Sequence, residues 1–380
     1  MRSYIRGFAF PVIVMVAAAS AAPLRAQSPV LLQLQSPGGD RVRVDSSGAV
    51  VAIGSPIPGT CAAPVTGNGT RLMWYPCKAA FRAGDLHGLA GQGLWDDAKI
   101  GRRSWAGGDD TEASGSESFA FGSQSRASGI GAVVFGSLSS ATGEAAFAAG
   151  AYNACGGVGC VALGFSTTAI ADHAVAIGQY VTADGEGSLA LGNWASANKH
   201  AGSFTWGDGS SGDEVKSQAD NEFRIRAAGG IRLRTSAAAN AAAGVSGNTG
   251  CDLPAGSGSW TCASSRYVKE NVVDIDGETV LEKVSAMPVT TWNYIAEGKD
   301  VRHMGPFAQD FYAAFQLGTD STSIGMIDIN GVNLAAVKAL TERTAELKAA
   351  QVALDEKVRR IDELEERVAR LERVLLKKHK

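Results

Sequence analysis

Ala174-Val175-Ala176-Ile177-Gly178 and, fourteen residues on, Ser188-Leu189-Ala190-Leu191-Gly192 decide how the middle of this chain folds. Working outward, Gly122, Gly136, Gly150, Gly164, Gly178 and Gly192 all fall at the same fourteen-residue step. A second series, Gly115, Gly129, Gly143, Gly157 and Gly185, keeps phase with the first and is interrupted only at Ala171. A period held this long means stacked coils of one supersecondary unit, because a flexible Gly/Ala/Ser linker has no reason to keep phase. The run before each glycine alternates like a strand, and the glycine marks a turn that needs positive φ or close backbone approach.

Within these runs small residues (Ala120, Ala148, Ala162, Ala176, Ala190) alternate with large ones (Phe119 and Phe121, Val161 and Leu163, Val175 and Ile177). Both faces are apolar, so both call for burial. A thin coil can enclose only one of them, and identical chains packed around an axis would cover the other. The pattern is similar to the head repeats of trimeric autotransporter adhesins. That resemblance implies a trimeric left-handed parallel β-roll over 113–200, with a monomeric β-solenoid as the alternative. Cys155 and Cys160 stand at small-residue positions of the repeat, where a disulfide would staple one coil.

Composition bounds the rest. Glycine makes up 47 of 380 residues and aromatics 7%, too glycine-rich for an ordinary packed α/β enzyme and without the triplet period of collagen. A net charge of −3 leaves no excess of cations to neutralise phosphates, which argues against a nucleic-acid partner. Arg2 and Arg6, the apolar stretch 8–22 and Leu24-Arg25-Ala26 read as a signal peptide over 1–26, too short for a membrane anchor. The protein is therefore expected to be exported, secreted or at the cell surface. Six cysteines suit that oxidising route, and local pairing (Cys61 with Cys77, Cys155 with Cys160, Cys251 with Cys262) is the simplest of several connectivities. Their spacing fits no zinc pattern and the five histidines are scattered, so no metal and no cofactor is expected.

Residues 27–112 read as an N-terminal cap. Its Thr70-Arg71-Leu72-Met73-Trp74-Tyr75-Pro76 and Trp95-Asp96-Asp97 segments look like those that precede such heads in secreted fibre proteins. Capping the open end of the roll is favoured over a glycan-stacking surface. Residues 201–263 read as a neck and joint. There Phe223-Arg224-Ile225-Arg226 and Ile231-Arg232-Leu233-Arg234 suggest a short hairpin, and 236–258 a flexible Gly/Ala-rich linker.

Three features mark the C-terminal third. Ser264-Ser265-Arg266-Tyr267-Val268-Lys269-Glu270-Asn271 pairs a serine with a lysine five residues later. His303-Met304-Gly305-Pro306-Phe307-Ala308-Gln309 follows. Beyond Asn333, Val337, Leu340, Leu347, Leu354, Val358, Ile361, Leu364, Val368, Leu371 and Leu375 fall at heptad spacing, with one stammer at 358–364. A helix packed on its own domain is the alternative to a coiled coil.

Together these features resemble the C-terminal intramolecular chaperone of phage endosialidase tail spikes and related fibres. The resemblance implies a chaperone domain at 264–332, a coiled-coil helix at 333–380, and a homotrimer. It further implies that Ser264 is the nucleophile, Lys269 the base and Ala263–Ser264 the bond cut, with His303, Gln309 and Asn271 in supporting roles. Pro306 departs from the bulky apolar residue usual at that position. Such a domain would be a single-turnover autoprotease without multiple-turnover activity. On geometry alone, residues five apart lie on different faces of a helix or strand, so Ser264 and Lys269 meet only if the segment bends or a neighbouring chain completes the site.

The expected architecture is thus mainly β with a C-terminal helical part: β-roll head, short β neck and a small α+β chaperone domain ending in a coiled coil. The expected function is an exported trimeric, adhesin-like fibre that matures itself. A phage-derived tail fibre, a glycan-processing spike and a non-cleaving trimerisation module are the alternatives. The signal peptide argues against the phage fibre, and the want of an acidic-aromatic glycosidase domain against the spike. A host-surface or glycan ligand is left open.

Overall fold

The computed structural model describes residues 30–36, 39–54, 62–87, 93–236 and 249–378. The expected leader at 1–26, Cys61 and residues 237–248 of the expected linker lie outside the described residues. The chain divides into two compact units, Met1–Ala263 and Ser264–Lys380.

The first unit is built around a β-solenoid. Nine five- or four-residue strands, from Trp105–Asp109 through Phe119–Ser123, Val133–Ser137 and onward to Phe223–Arg226, stack in parallel with each coil one ladder step above the last. Eight two-residue strands, from Glu112–Ala113 to Val215–Lys216, form the opposite sheet. The register repeats without slippage: Phe119, Val133, Phe147, Val161, Val175 and Leu189 share one column, and Ala120, Val134, Ala148, Ala162, Ala176 and Ala190 the next.

The small-residue column faces inward and is fully buried at every coil, as is the facing column Ala113, Ala127, Ala141, Cys155, Ala169 and Ala183. The large residues on either side of each inward alanine point out and remain partly or well exposed, Phe121 at 54% and Phe135 at 43%. The hollow of the roll is therefore too narrow for more than small side chains, and the bulkier apolar face is left uncovered in a single chain.

The glycines are explained by the same closeness. Gly136 has φ +126°, and a Cβ there would lie 1.9 Å from the carbonyl oxygen of Gly150 in the next coil. Gly143 needs no positive φ, yet its Cβ would come equally close, 1.9 Å, to the carbonyl oxygen of Gly157. The Cys155–Cys160 disulfide is formed. Cys160 takes the place held by Ala146 and Ala174 in neighbouring coils, as the backbone bonds Phe147 N–H to Cys160 O and Val161 N–H to Ala174 O show. The bridge thus crosses the inside of one coil.

Both ends of the roll depart from the fixed period. At the start, the hairpin of Arg71–Tyr75 and Ala80–Asp85 joins the main sheet, with Ala80–Asp85 parallel to Trp105–Asp109. Behind it Tyr75, Leu86, Leu94, Trp95 and Ile100 are buried, and the Trp95 indole donates to Thr111 O at 2.8 Å. Arg82 plugs the open end: it is fully buried, and its guanidinium donates to the carbonyls of Phe81, Ser104 and Ala113 and to the Ser104 hydroxyl. Burial away from water pushes the Arg82 pKa down to about 10. A separate antiparallel sheet of Val30–Ser36, Gly39–Asp45 and Val50–Ala52 precedes this cap.

At the other end the expected hairpin is not formed. Phe223–Arg226 pairs in parallel with Phe204–Gly207, which itself follows Leu189–Asn193, so the roll continues past 200 through two coils with longer loops. Phe223 extends the outward column of Leu189 and Phe204 and stacks on Phe204 at 4.8 Å, a partner that a local hairpin would not offer. Gly230–Arg234 instead pairs with Gly250–Pro254, and that strand with Thr261–Cys262. The C-terminal end of the expected linker is therefore strand, held by the Cys251–Cys262 disulfide between register partners. Cys77 is also disulfide-bonded, while its expected partner Cys61 lies outside the described residues.

The second unit is smaller and α+β. Helix α1 (Gly277–Ala286) is capped by Asp276, whose carboxylate accepts the Glu278 N–H. It packs on the first turns of α3 (Met326–Lys378), where small residues allow close approach: a Cβ on Gly277 would sit 3.1 Å from that of Ala339. Ala335, Ala336 and Ala339 are buried, and Glu278 pairs with Arg343. Between them lie the antiparallel pair Thr290–Trp292 and His303–Gly305 and helix α2 (Ala308–Phe315), which buries Phe311. Beyond this packing, α3 carries its heptad residues from Val337 to Leu375 exposed.

Candidate active site

The residue before the serine is anchored. Ala263 N–H donates to Gly250 O at 2.9 Å, extending the disulfide-clipped sheet by one residue. The second unit begins at Ser264. Ser265, extended at ψ 143°, caps a short 3-10 turn, Arg266–Val268, by accepting the Tyr267 N–H at 3.3 Å. Val268 N–H then donates to Ser265 O and Lys269 N–H to Arg266 O. This turn supplies the bend that the five-residue spacing demands. It carries Lys269 back over Ser264, and Lys269 Nζ donates to Ser264 Oγ at 2.8 Å within one chain. Both side chains are exposed. Asn271, two residues on, is exposed in the left-handed region at φ 54°.

His303 sits elsewhere in this unit's bonding pattern. It lies opposite Trp292 in the two-stranded sheet, with ring centroids 4.9 Å apart, and 5.6 Å from the ring of Tyr294. Its Nε2 meets Glu297 Oε2 at 2.9 Å. The Tyr294 N–H first, and His303 second, hold the Glu297 carboxyl below the usual range. Among the described residues, His303 makes no hydrogen bond to Ser264 or Lys269. Gln309 lies in the first turn of α2 and, with Trp292, Tyr294, Pro306 and Phe307, lines an apolar groove. The second unit thus holds two separate pairs, the bonded Ser264–Lys269 pair and the His303–Glu297 pair beside Trp292 and Tyr294, and no hydrogen bond among the described residues joins one to the other.

Two contributors escaped sequence reasoning. Ser265 carried a readable signal, a serine just before a short turn, which fits an N-cap. Glu297 carried none, since five loop residues lie between it and His303 and no period links them.

Residues 264–317 match the family model described as the chaperone of endosialidase, a match that begins at the serine of the bonded pair. Residues 113–139, 157–180 and 183–203 match the YadA head domain repeat. No curated protein matches the chain. The chain is thus similar, in its middle, to trimeric adhesin heads, which implies a trimeric assembly of extracellular or surface type. Its C-terminal segment is similar to a self-cleaving intramolecular chaperone of fibre proteins. No helix among the described residues is long and apolar enough to cross a membrane.

Proposed function

We propose that this chain is an exported, adhesin-like homotrimeric fibre whose residues 264–380 guide trimer assembly and then release themselves by cutting Ala263–Ser264. The observation that carries this reading is the 2.8 Å bond from Lys269 Nζ to Ser264 Oγ, at the first residue of the matched chaperone segment. The uncovered apolar columns of the roll and the exposed heptad stripe of α3 support the trimer, since each is a large apolar face that one chain leaves in water.

The chemistry follows from the pair. A neutral lysine takes the Ser264 hydroxyl proton as Oγ adds to the carbonyl carbon of Ala263. The C–N bond breaks, the proton passes to the new Ser264 amine, and an ester joins Ala263 to Ser264 Oγ. Water hydrolyses that ester, leaving a carboxylate on Ala263 and restoring the hydroxyl. The nucleophile departs with its own fragment, so the reaction turns over once. A lysine works as base only when desolvation or nearby positive charge favours its neutral form. Ser264 and Lys269 are exposed in a single chain, so in this reading the neighbouring chains supply the burial and cutting reports assembly. The same exposure favours the second reading, a trimerisation module that does not cut.

Expressing the full chain and its Ser264→Ala variant separates them. Both should sediment as trimers, with wild type giving two fragments on a denaturing gel and the variant one band. An uncut wild-type trimer would leave only the non-cleaving module, and a monomer would overturn both readings.

A further inference from the structure

Where the cap hairpin meets the first coil, two aspartates stand side by side. Asp85 ends Ala80–Asp85, and its register partner is Asp109 at the end of Trp105–Asp109. Like charges opposite one another on neighbouring strands repel. Higher in the same column stand Ser123, Ser137, Ala151, Phe165, Gln179 and Asn193, all uncharged, so the acidic pair is confined to this step. Asp110 adds a third carboxylate, and among the described residues no Lys or Arg forms an ion pair with any of the three.

His87 completes the group. Its Nδ1 lies 2.8 Å from Asp109 Oδ1 and 3.3 Å from Asp85 Oδ2, and one donor atom from each of the three residues falls within 4.8 Å of the others. The other oxygen of each carboxylate is already engaged. Thr70 Oγ1 donates to Asp85 Oδ1 at 2.8 Å, and Ser123 Oγ donates to Asp109 Oδ2 at 3.0 Å. The backbone is fixed as well: His87 N–H donates to Asp110 Oδ1 at 2.8 Å, and Asp110 N–H to Asp85 O at 3.0 Å. Each carboxylate is thus oriented by a hydroxyl and turns its free oxygen toward one imidazole nitrogen, the support that metal-ligating groups require.

We infer that Asp85, His87 and Asp109 bind one divalent transition-metal ion of the zinc type, which pins the cap to the roll. A dication balances the charge of both carboxylates, and the imidazole adds a nitrogen ligand. Two carboxylates and one imidazole suit zinc-like ions, and calcium wants six or more oxygens. With Asp85 and Asp109 on adjacent strands and His87 two residues beyond the first, no linear spacing could have revealed the set.

The test uses the untagged full chain, stripped with chelator and titrated with zinc chloride by calorimetry, alongside Co²⁺ binding followed by its visible absorption. The expected result is one zinc per chain, weakened at least tenfold by His87→Ala and by Asp109→Asn. Thr70→Val keeps all three ligands and loses only an orienting bond, so it should weaken binding by roughly tenfold with the fold unchanged by circular dichroism. Wild-type chain that takes up no zinc overturns the inference, as does uptake that His87→Ala leaves undiminished. The cleavage state of the chain does not enter the measurement.

Discussion

Lys269 Nζ and Ser264 Oγ lie 2.8 Å apart because the Arg266–Val268 turn, capped by Ser265, folds a five-residue segment back on itself. The hydrogen bond itself needs only a donor, but the proposed reaction needs a base. Lys269→Arg should therefore keep a cation beside Ser264 and abolish cutting, because a guanidinium does not give up its proton. Time courses of fragment appearance for wild type and variant check this, and cutting by the Arg variant would exclude lysine as base.

Gly136 and Gly131 separate two costs of a side chain. An alanine at Gly136 meets the Gly150 carbonyl oxygen at 1.9 Å in an unfavourable conformation, whereas at Gly131, with φ +65°, nothing lies within 4 Å. Gly136→Ala should destabilise the roll by about 4 kcal/mol, in the range of severe backbone and packing lesions. Gly131→Ala should cost only about 1 kcal/mol of conformational strain. Thermal unfolding of the two variants, compared at equal concentration, measures the difference.

Ile177 tests the outward face. It is 38% exposed in one chain and sits in the column of Phe135 and Leu163. If three chains bury that column, Ile177→Asp places an unpaired charge in the interface and should dissociate the trimer. If the roll is monomeric, the substitution falls on a surface and shifts stability by no more than about 0.5 kcal/mol. Sedimentation and melting of the same sample distinguish the outcomes.

How much of this was legible follows from the kind of signal each part carries. The coils from Ala113 to Lys199 repeat in phase, so the alternation of Ala176 with Ile177 and the burial that both faces call for were legible, while the inward turn of Ala176 is read from the structure. Phe223-Arg224-Ile225-Arg226 also alternates, but alternation does not name a partner. The longer loops before Phe204 and Phe223 hid the ladder that both strands join. The Ser264–Lys269 bend was legible as a requirement, while the turn that meets it depends on backbone bonds. Arg82, His87 and Glu297 were silent because their partners come from other coils or from aperiodic loops.

Asp208 gives the roll's last coil a pH dependence. Its carboxylate accepts bonds from the Ser210 hydroxyl, the Ala228 N–H and the Arg226 guanidinium, which together hold it well below the usual carboxylate range. A depressed folded pKa contributes stability that is complete above the unfolded value, about 4, and is lost as pH falls toward the folded value. Asp208→Asn should therefore lower Tm by a constant amount from neutral pH down to about 4, with the gap to wild type closing below that. A parallel Tm–pH series reads it directly.

The intact mass of the C-terminal fragment from purified wild-type protein tests the central claim most directly. Cutting by Ser264 at its own amide predicts a species running from Ser264 to Lys380 with a free serine amine, absent from Ser264→Ala preparations. A wild-type chain of undivided mass across Ala263–Ser264, or a fragment starting at any other residue, would contradict it.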